Sequence, residues 1–91
     1  MYYAYILQCN DGTYYVGSTN DIERRVHHHN TSKAGAHYTK IRRPVSLAYK
    51  EACETYADVR RREGELKRLT RAQKTALIHA SGNIAADASS L

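Results

Sequence analysis

One acidic residue occupies a position where a helix is expected to be apolar. Val59, Glu63 and Leu66 are spaced by four and three residues, so they share one face of a predicted helix. A carboxylate on a buried face is costly unless it is paired with a cation or bound to a metal ion. Glu63 is therefore either a partly buried partner for one of the many arginines or a ligand for a divalent cation.

Two further side chains suited to phosphate chemistry lie one helical turn apart. Arg25 and His29 are four residues apart in a predicted helix, and Arg25 follows the inward-facing Ile22 by three, so both border the core. A guanidinium can donate two hydrogen bonds to one phosphate, and an imidazole can take or relay a proton near neutral pH. The alternatives are a surface role for Arg25 and, for His29, a cation that complements the helix dipole.

The phenols of Tyr5 and Tyr15 complete the set of candidate groups. A phenol can donate or accept a hydrogen bond and, beside a metal or a cation, can lose its proton and act as a base. Ordinary sheet packing is the alternative for both. They lie on the two strands of a predicted hairpin. A three-residue loop, 11–13, puts both side chains on one face of the sheet. A two-residue loop, 11–12, puts them on opposite faces. A shared site requires the three-residue loop.

Turn signals, capping residues and apolar periodicity predict the elements that position these groups. They indicate strands at 3–9 and 14–17, a helix capped by Asn20 and ending near 29, a strand at 45–51, and helices from Thr55 to about 69 and from Thr70 to about 80. In the last helix we expect Ala72, Ala76 and Leu77 to face inward. The order β-β-α-β-α-α predicts an α+β fold, with a three-stranded antiparallel sheet in the order 2-1-3 flanked by three helices.

Length and composition predict one small domain. A chain of 91 residues can hold a single core, which we place at 1–80, and the Ala, Ser, Gly, Asn and Asp composition of 81–91 predicts a flexible tail. Cys9 and Cys53 lack the C-x-x-C spacing of a redox or zinc site, and no stretch approaches the roughly 20 apolar residues of a membrane span. We therefore expect a cytoplasmic monomer without membrane association or small-molecule cofactor.

The formal charge of +5 is concentrated in one stretch of the chain. Residues 24–50 include seven Lys or Arg and four His but no Asp or Glu. Such a stretch attracts a phosphate backbone through electrostatic steering and counterion release, and a solvated basic surface is the alternative. In the loop after the first helix, the candidate nucleic-acid-binding residues are Lys33, His37, Tyr38, Lys40, Arg42 and Arg43.

The spacing of these motifs resembles that of a known family. Tyr3-Ala4-Tyr5, Tyr15-Val16-Gly17 ten residues after Tyr5, then Arg25 and Glu63, resemble the GIY-YIG nuclease superfamily, most closely its small stand-alone bacterial branch. The resemblance covers about residues 2–80. Tyr3 and Ala4 stand where the family motif has Gly and Ile, and His29 stands where other relatives carry Tyr.

The resemblance implies a phosphodiesterase that uses one metal ion. Glu63 would hold Mg²⁺ or Mn²⁺, which are hard cations suited to carboxylate and phosphate oxygens. Tyr5 or Tyr15, with His29 as a relay, would help to deprotonate the attacking water, and Arg25 would balance charge on the phosphate. Which of these side chains is the general base stays open.

The expected substrate is DNA. A lone small domain can grip little duplex, and tyrosines for stacking beside a basic loop favour single-stranded, branched or nicked DNA. We therefore expect a metal-dependent DNA endonuclease of repair, recombination or DNA processing. The alternative is a non-catalytic module that binds DNA or RNA, in which the tyrosines and Glu63 are structural.

Overall fold

The computed structural model describes residues 1–31, 39 and 41–81. Its elements are β1 (Tyr2–Gln8), β2 (Tyr14–Thr19), α1 (Ile22–Thr31), β3 (Ser46–Cys53), α2 (Tyr56–Arg68) and α3 (Arg71–Ala80). The predicted α+β class and the order β-β-α-β-α-α are confirmed. Residues 82–91, which make up most of the predicted tail, lie outside the described residues. No helix within the described ranges is long and apolar enough to cross a membrane.

The sheet separates two apolar layers. β1 is the central strand and is antiparallel to both neighbours, in the predicted order β2-β1-β3. Successive side chains of a strand point to opposite faces, so β1 contributes to both layers. One layer lies against α2 and α3, and its buried members are Ala4, Ile6, Val16, Ala48, Tyr49, Val59, Leu66 and Ile78. The other lies against α1, and it consists of Tyr5, Leu7, Cys9 and Val45 with Ile22 and Val26 packed on them.

The hairpin loop has the predicted length but a different position. The amide of Gly12 donates to the carbonyl of Cys9 at 2.9 Å, and the amide of Cys9 donates to the carbonyl of Thr13 at 2.8 Å. Gly12 has a φ of 84°, the left-handed conformation that closes a three-residue loop. The loop is therefore 10–12 rather than the predicted 11–13. Because both ends shift by one residue, the same side chains of the two strands still share a face of the sheet.

That register puts the two candidate tyrosines on the same face of the sheet. Gly17 lies opposite Tyr5, and Tyr15 lies opposite Leu7. Because Tyr5 and Leu7 are two residues apart on β1, Tyr5 and Tyr15 both face α1. The geometric requirement for a shared tyrosine site is met.

Side-chain caps fix where the helices begin. Thr55 caps α2, and Thr70 caps α3 in a reciprocal capping box with Gln73, as predicted. The predicted cap of α1 was wrong by one residue. Oδ1 of Asp21, not Asn20, accepts from the amide of Arg24 at 3.2 Å, so the helix begins at Ile22.

The inward face of α3 also differs from the prediction. Ala72 and Ala76 are exposed, Leu77 is partly buried, and Ile78 is the buried residue. A hydrogen bond of 2.9 Å between the hydroxyls of Tyr14 and Thr75 orients the helix. The helix thus turns its large Ile toward the sheet and its small alanines toward solvent.

Candidate active site

Tyr5 lies across the edge strand of the sheet. Its side chain is 1% exposed, and a Cβ atom built on Gly17 would come within 2.5 Å of the Tyr5 hydroxyl oxygen and 2.7 Å of Cζ. Gly17 is therefore the position at which β2 lets the phenol cross it. The hydroxyl therefore lies over β2, which is an edge strand of the sheet.

The Tyr5 hydroxyl joins two side chains of α1. Nε of Arg25 donates to this oxygen at 3.4 Å, and Nε2 of His29 lies 3.1 Å from it. The other ring nitrogen of His29, Nδ1, lies 2.8 Å from Oγ1 of Thr39, which is fully buried. Both ring nitrogens have hydroxyl partners, so a neutral imidazole can donate from one nitrogen and accept at the other. The four side chains form a continuous hydrogen-bonded chain.

Burial holds this chain in its uncharged form, apart from Arg25. Desolvation, reinforced by the positive charges of Arg25, His28 and Arg43, lowers the pKa of His29 to about 4. His29 is therefore neutral at pH 7, and one of its ring nitrogens can accept a hydrogen bond. Burial also raises the pKa of Tyr5, although the hydrogen bond and charge of Arg25 act in the opposite direction. Arg25 is thus the group that would stabilise a phenolate at Tyr5.

Tyr15 contacts the same imidazole through its ring. The Tyr15 and His29 ring centroids are 5.1 Å apart with an interplanar angle of 62°, and those of Tyr5 and His29 are 6.2 Å apart at 67°. Both are edge-on contacts. The structure thus gathers four of the five predicted catalytic residues, Tyr5, Tyr15, Arg25 and His29, on the α1 face of the sheet.

The fifth residue, Glu63, lies on the other face. It is buried on α2 together with Val59 and Leu66, as their spacing predicts, and is 7% exposed. Its Oε1 accepts from the hydroxyl of Ser18 at 2.7 Å and from Nη1 of Arg60 at 3.1 Å, and Oε2 lies 3.0 Å from Nζ of Lys67. The carboxylate therefore has an arginine partner, which was one of the two alternatives drawn from the sequence.

These partners keep the carboxylate charged. Burial would raise the pKa of Glu63, but the hydrogen bonds from Ser18 and Lys67 and the charges of Lys67 and Arg60 outweigh it and lower the pKa. Glu63 is consequently ionised at neutral pH. Its negative charge is also among the smaller influences that raise the pKa of Tyr5, so the two groups lie within electrostatic range of each other.

Two adjacent residues of β2 connect the two halves of the site. Gly17 lies under Tyr5 on the α1 face, whereas Ser18, opposite Ala4 in the register, points to the α2 face and reaches Glu63. The site therefore wraps around the edge strand. Sequence reasoning missed Ser18, although its spacing of two from the core residue Val16 was a usable signal.

Thr39 was also missed, and no sequence signal could have found it. It lies in a segment without apolar periodicity, and only the folded chain brings its hydroxyl to His29.

Two of the six predicted nucleic-acid-binding residues, Arg42 and Arg43, lie within the described ranges. Lys33, His37, Tyr38 and Lys40 lie outside the described residues. Nε of Arg42 lies 3.0 Å from a carboxylate oxygen of Asp11 in the hairpin loop, and Nε of Arg43 donates to the carbonyl of His29 near the end of α1. Both guanidinium groups thus have intramolecular partners, and their role in nucleic-acid binding stays a prediction.

The donor set around Glu63 suits one hard cation that is mostly hydrated. Within residues 1–31, 39 and 41–81, no group of three or more His, Cys, Asp or Glu converges as a ligand cluster. Mg²⁺ commonly keeps several waters and binds through one or two carboxylates plus substrate phosphate oxygens. The side chains of Arg60 and Lys67 are 56% and 57% exposed, so their charged ends can leave the carboxylate without disturbing the core. The residues present fit such an ion.

A family model of nucleases matches most of the chain. The family model described as the GIY-YIG catalytic domain matches residues 1–76. The chain therefore belongs to the GIY-YIG family, whose members are nucleases that generally use divalent metal ions.

Within that family, the chain is similar to small proteins named UPF0213. It is 45% identical to UPF0213 protein DP2720 of Desulfotalea psychrophila over 80 residues, which cover 88% of this chain and 73% of the relative. It is 48% identical to UPF0213 protein SERP0126 of Staphylococcus epidermidis over 77 residues, 85% of this chain and 93% of the relative. The solution NMR structure of UPF0213 protein BH0048 from Bacillus halodurans is 37% identical, with a TM-score of 0.61, and covers 100% of this chain and 97% of that one. The predicted resemblance is confirmed.

Proposed function

We propose that this protein is a divalent-metal-dependent DNA endonuclease that hydrolyses phosphodiester bonds at the β2 edge. The observation that carries the proposal is the meeting of two kinds of group at Gly17 and Ser18. A phenol hydrogen-bonded to Arg25 lies on one side, and a buried, ionised carboxylate lies on the other. Hydrolysis of a phosphodiester requires a proton acceptor for the attacking water and positive charge for the phosphate oxygens.

Each side chain has a distinct part in this proposal. Tyr5, in the phenolate form that Arg25 stabilises, takes the proton of the attacking water, and His29, neutral at pH 7, orients the phenol oxygen through Nε2. Arg25 stabilises both the phenolate and the negative charge on the phosphate. Tyr15 packs against His29 and holds the imidazole in position. Tyr5 is thus our choice among the three bases left open by the sequence.

Glu63 would hold one Mg²⁺ or Mn²⁺ ion. When bound, that ion supplies Lewis-acid stabilisation of the charge on the phosphate oxygens. Ser18 orients the carboxylate through its hydrogen bond to Oε1.

An exposed aromatic ring supports a preference for single-stranded, branched or nicked DNA. Tyr56 is 61% exposed at the start of α2, and Cζ of Arg60 lies 6.0 Å from its ring centroid. Nη1 of the same arginine is 3.1 Å from Glu63, so a base stacked on Tyr56 would lie near the carboxylate. Bases of flexible strands are free to stack in this way, whereas those of a duplex are not. We propose a monomer that works in the cytoplasm in DNA repair, recombination or processing.

One observation favours a second candidate, a nucleic-acid-binding module without catalysis. Glu63 already has three intramolecular donors, Ser18, Arg60 and Lys67, and these satisfy its charge without a metal. In such a module the carboxylate would tie α2 to β2, and DNA or RNA would bind through positive charge alone.

A cleavage panel separates the two candidates. Purified protein is incubated with end-labelled single-stranded, nicked, branched and duplex DNA, and with single-stranded RNA, in Mg²⁺, Mn²⁺ or EDTA. Binding to each substrate is measured in parallel by fluorescence anisotropy. The proposal predicts metal-dependent cutting of flexible DNA that stops in EDTA. Binding without cutting in either metal would leave only the non-catalytic module.

A further inference from the structure

A pocket of about 230 Å³ opens beside Arg25, where β2 ends and α1 begins. Its walls are Thr19, Asn20, Asp21, Arg24, Arg25 and His28. We propose that this pocket binds the backbone phosphate next to the one that is cut. The inference rests on the proposed function, because it names the neighbouring contact of the same DNA strand.

The charge of the pocket suits a phosphate. Arg24 and Arg25 bring two guanidinium groups, and His28 adds a ring that can donate a hydrogen bond. The one acid is Asp21, whose Oδ1 accepts from the amide of Arg24 at 3.2 Å and is thereby engaged as the cap of α1. Positive charge thus exceeds negative charge in the pocket, and the acid is turned to the helix backbone.

The size of the pocket favours a backbone unit over a base pair or a larger ligand. Drug-sized ligands occupy sites of about 300–1,000 Å³, and the volume here is smaller. A phosphate with part of its sugar is compact and charged. Thr19 and Asn20 add polar side chains of the kind that contact phosphate and sugar oxygens.

Arg25 connects the pocket to the candidate active site. It lines the pocket, and its Nε also donates to the Tyr5 hydroxyl at 3.4 Å. A strand whose reacting phosphate lies between Tyr5 and Glu63 would therefore pass Arg25 as it continues toward Arg24 and His28. The two arginines are adjacent in sequence and would contact successive phosphates of one strand.

Arg24 differs in its pairing from three consecutive arginines of α2. Arg60, Arg61 and Arg62 each form a salt bridge with an acid on α2 or β3. Among the described residues, no salt bridge involves Arg24, which is exposed at the rim of the pocket. Its charge is available to a ligand.

The test measures binding in EDTA, so that it does not depend on cutting. A single-stranded oligonucleotide is titrated with the protein by fluorescence anisotropy, and single methylphosphonates, which remove one phosphate charge each, are placed at successive positions. The variants are Arg24→Ala and His28→Ala. The matched controls are Arg61→Ala, which removes the same charge from α2, and His27→Ala, which removes the neighbouring imidazole outside the pocket. Circular dichroism and the unfolding midpoint of each variant establish that it folds.

We expect Arg24→Ala to weaken binding several-fold and to reduce the slope of log K against log salt by roughly 0.7, the value for one lost contact to a single strand. One methylphosphonate position should weaken the wild type and both controls but have no further effect on Arg24→Ala. His28→Ala should show the same interference pattern as Arg24→Ala, in a weaker form. With Mg²⁺ restored, the sensitive position should be adjacent to the cut.

Two outcomes separate this inference from the proposed function. If Arg24→Ala keeps the wild-type sensitivity at every position and the wild-type salt slope, the pocket binds no phosphate, even if the protein cuts DNA. If the interference depends on Arg24 but no metal supports cutting, the phosphate site stands and the nuclease proposal fails. A sensitive position remote from the mapped cut would overturn the claim that the two phosphates are neighbours.

Discussion

Two carboxylates lie between the sheet and α2, and each is paired with basic residues of that helix. Glu51 of β3 accepts from Nε of Arg62 at both oxygens, at 3.1 and 2.8 Å, and also from the hydroxyl of Tyr49. Arg62 makes a further hydrogen bond of 3.1 Å to Glu65. Here one cation is fixed between two acids.

At Glu63 the numbers are reversed, with one acid between two cations. One acid, 7% exposed, has two cations, and their side chains are more than half exposed. The guanidinium of Arg60 and the ammonium of Lys67 therefore reach solvent, although the carboxylate that they pair with is buried. The comparison teaches that an acid paired with basic residues between the sheet and α2 does not by itself mark a site. Glu63 differs in that its two cationic partners are more than half exposed, whereas the partner of Glu51 also contacts a second acid. Our proposal therefore requires the partners of Glu63, and not the partner of Glu51, to give way to a metal ion.

The strongest way to break this comparison is to neutralise each acid in turn. Glu63→Gln keeps the shape of the side chain but removes its charge, and we expect single-turnover cleavage to fall by about 100-fold or more. Glu51→Gln should lower the free energy of unfolding by about 1–3 kcal/mol, because Arg62 loses a charged partner, while cleavage changes by only a few-fold. Rates are measured at saturating Mg²⁺, and stability by urea denaturation. Equal losses of cleavage in the two variants would remove the distinction between the two acids.

The second prediction extends the comparison to His29, which is held by hydroxyls rather than by charges. The pKa of His29 is about 4 in the folded protein, below its value of 6.5 in the unfolded chain. The unfolded chain therefore binds a proton at a higher pH than the folded protein does. As a result, the free energy of unfolding falls as the pH drops from about 6.5 to 4. This loss amounts to roughly 2–3 kcal/mol between pH 7.5 and 4.5. Glu63, whose pKa is lowered mainly by Ser18 and Lys67 against its burial, loses its stabilisation only at lower pH.

Urea denaturation of the wild type and His29→Gln across this range checks the prediction. The variant should lose distinctly less stability than the wild type between pH 7.5 and 4.5. Parallel curves for the two proteins would mean that His29 is protonated as easily when folded as when unfolded.

Much of this arrangement could be predicted from the sequence, because its signals are local. The 3.6-residue periodicity of α2 put Glu63 on the buried face, and the parity of the hairpin loop put Tyr5 and Tyr15 together. Thr55 and Thr70 are side-chain caps with a clear spacing pattern, and they were predicted correctly.

The remaining features depend on contacts between distant parts of the chain. In sequence, both Glu63 and Glu51 are acids near basic residues. The sequence therefore cannot tell that the partners of Glu63 are more than half exposed, while Arg62, the partner of Glu51, also contacts Glu65. The cap of α1 was misplaced because Asn20 and Asp21 are adjacent and equally good caps. The inward face of α3 was misplaced because a contact with Tyr14, 61 residues away, turns the helix.

The third prediction concerns the crossing of β2. In Gly17→Ala the new methyl group would overlap the Tyr5 hydroxyl, so the phenol must move from Arg25 and His29. We expect cleavage to fall by roughly 10- to 100-fold, since a displacement of about 1 Å at reacting groups has effects of this size. Gly64→Ala is the matched control, because its nearest contact to a new Cβ is an ordinary 3.6 Å, to Nη1 of Arg68. It should cleave normally and gain helix stability. Normal cleavage by Gly17→Ala would show that the position of Tyr5 is not critical.

The smallest predicted effect comes from removing one cationic partner of Glu63 and, for comparison, the cationic partner of Glu51. Lys67→Met removes a cation that, in our proposal, competes with the metal for Oε2 of Glu63. The Mg²⁺ concentration for half-maximal cleavage should therefore fall by about two- to fivefold, a modest effect because the Lys67 end of the pair is solvated. Arg62→Met removes the cation of Glu51 and should lower stability without changing the metal requirement. A higher Mg²⁺ requirement in Lys67→Met would mean that Lys67 assists the metal site instead of competing for it.

The most direct measurement of the central claim is electron paramagnetic resonance of Mn²⁺ mixed with protein and single-stranded DNA and frozen before turnover. Wild type and Glu51→Gln should each bind one Mn²⁺ per protein with a spectrum distinct from that of Mn²⁺ with DNA alone, and Glu63→Gln should lose that signal. A bound-ion signal of wild-type size in Glu63→Gln would contradict the assignment of Glu63 as the metal-holding carboxylate.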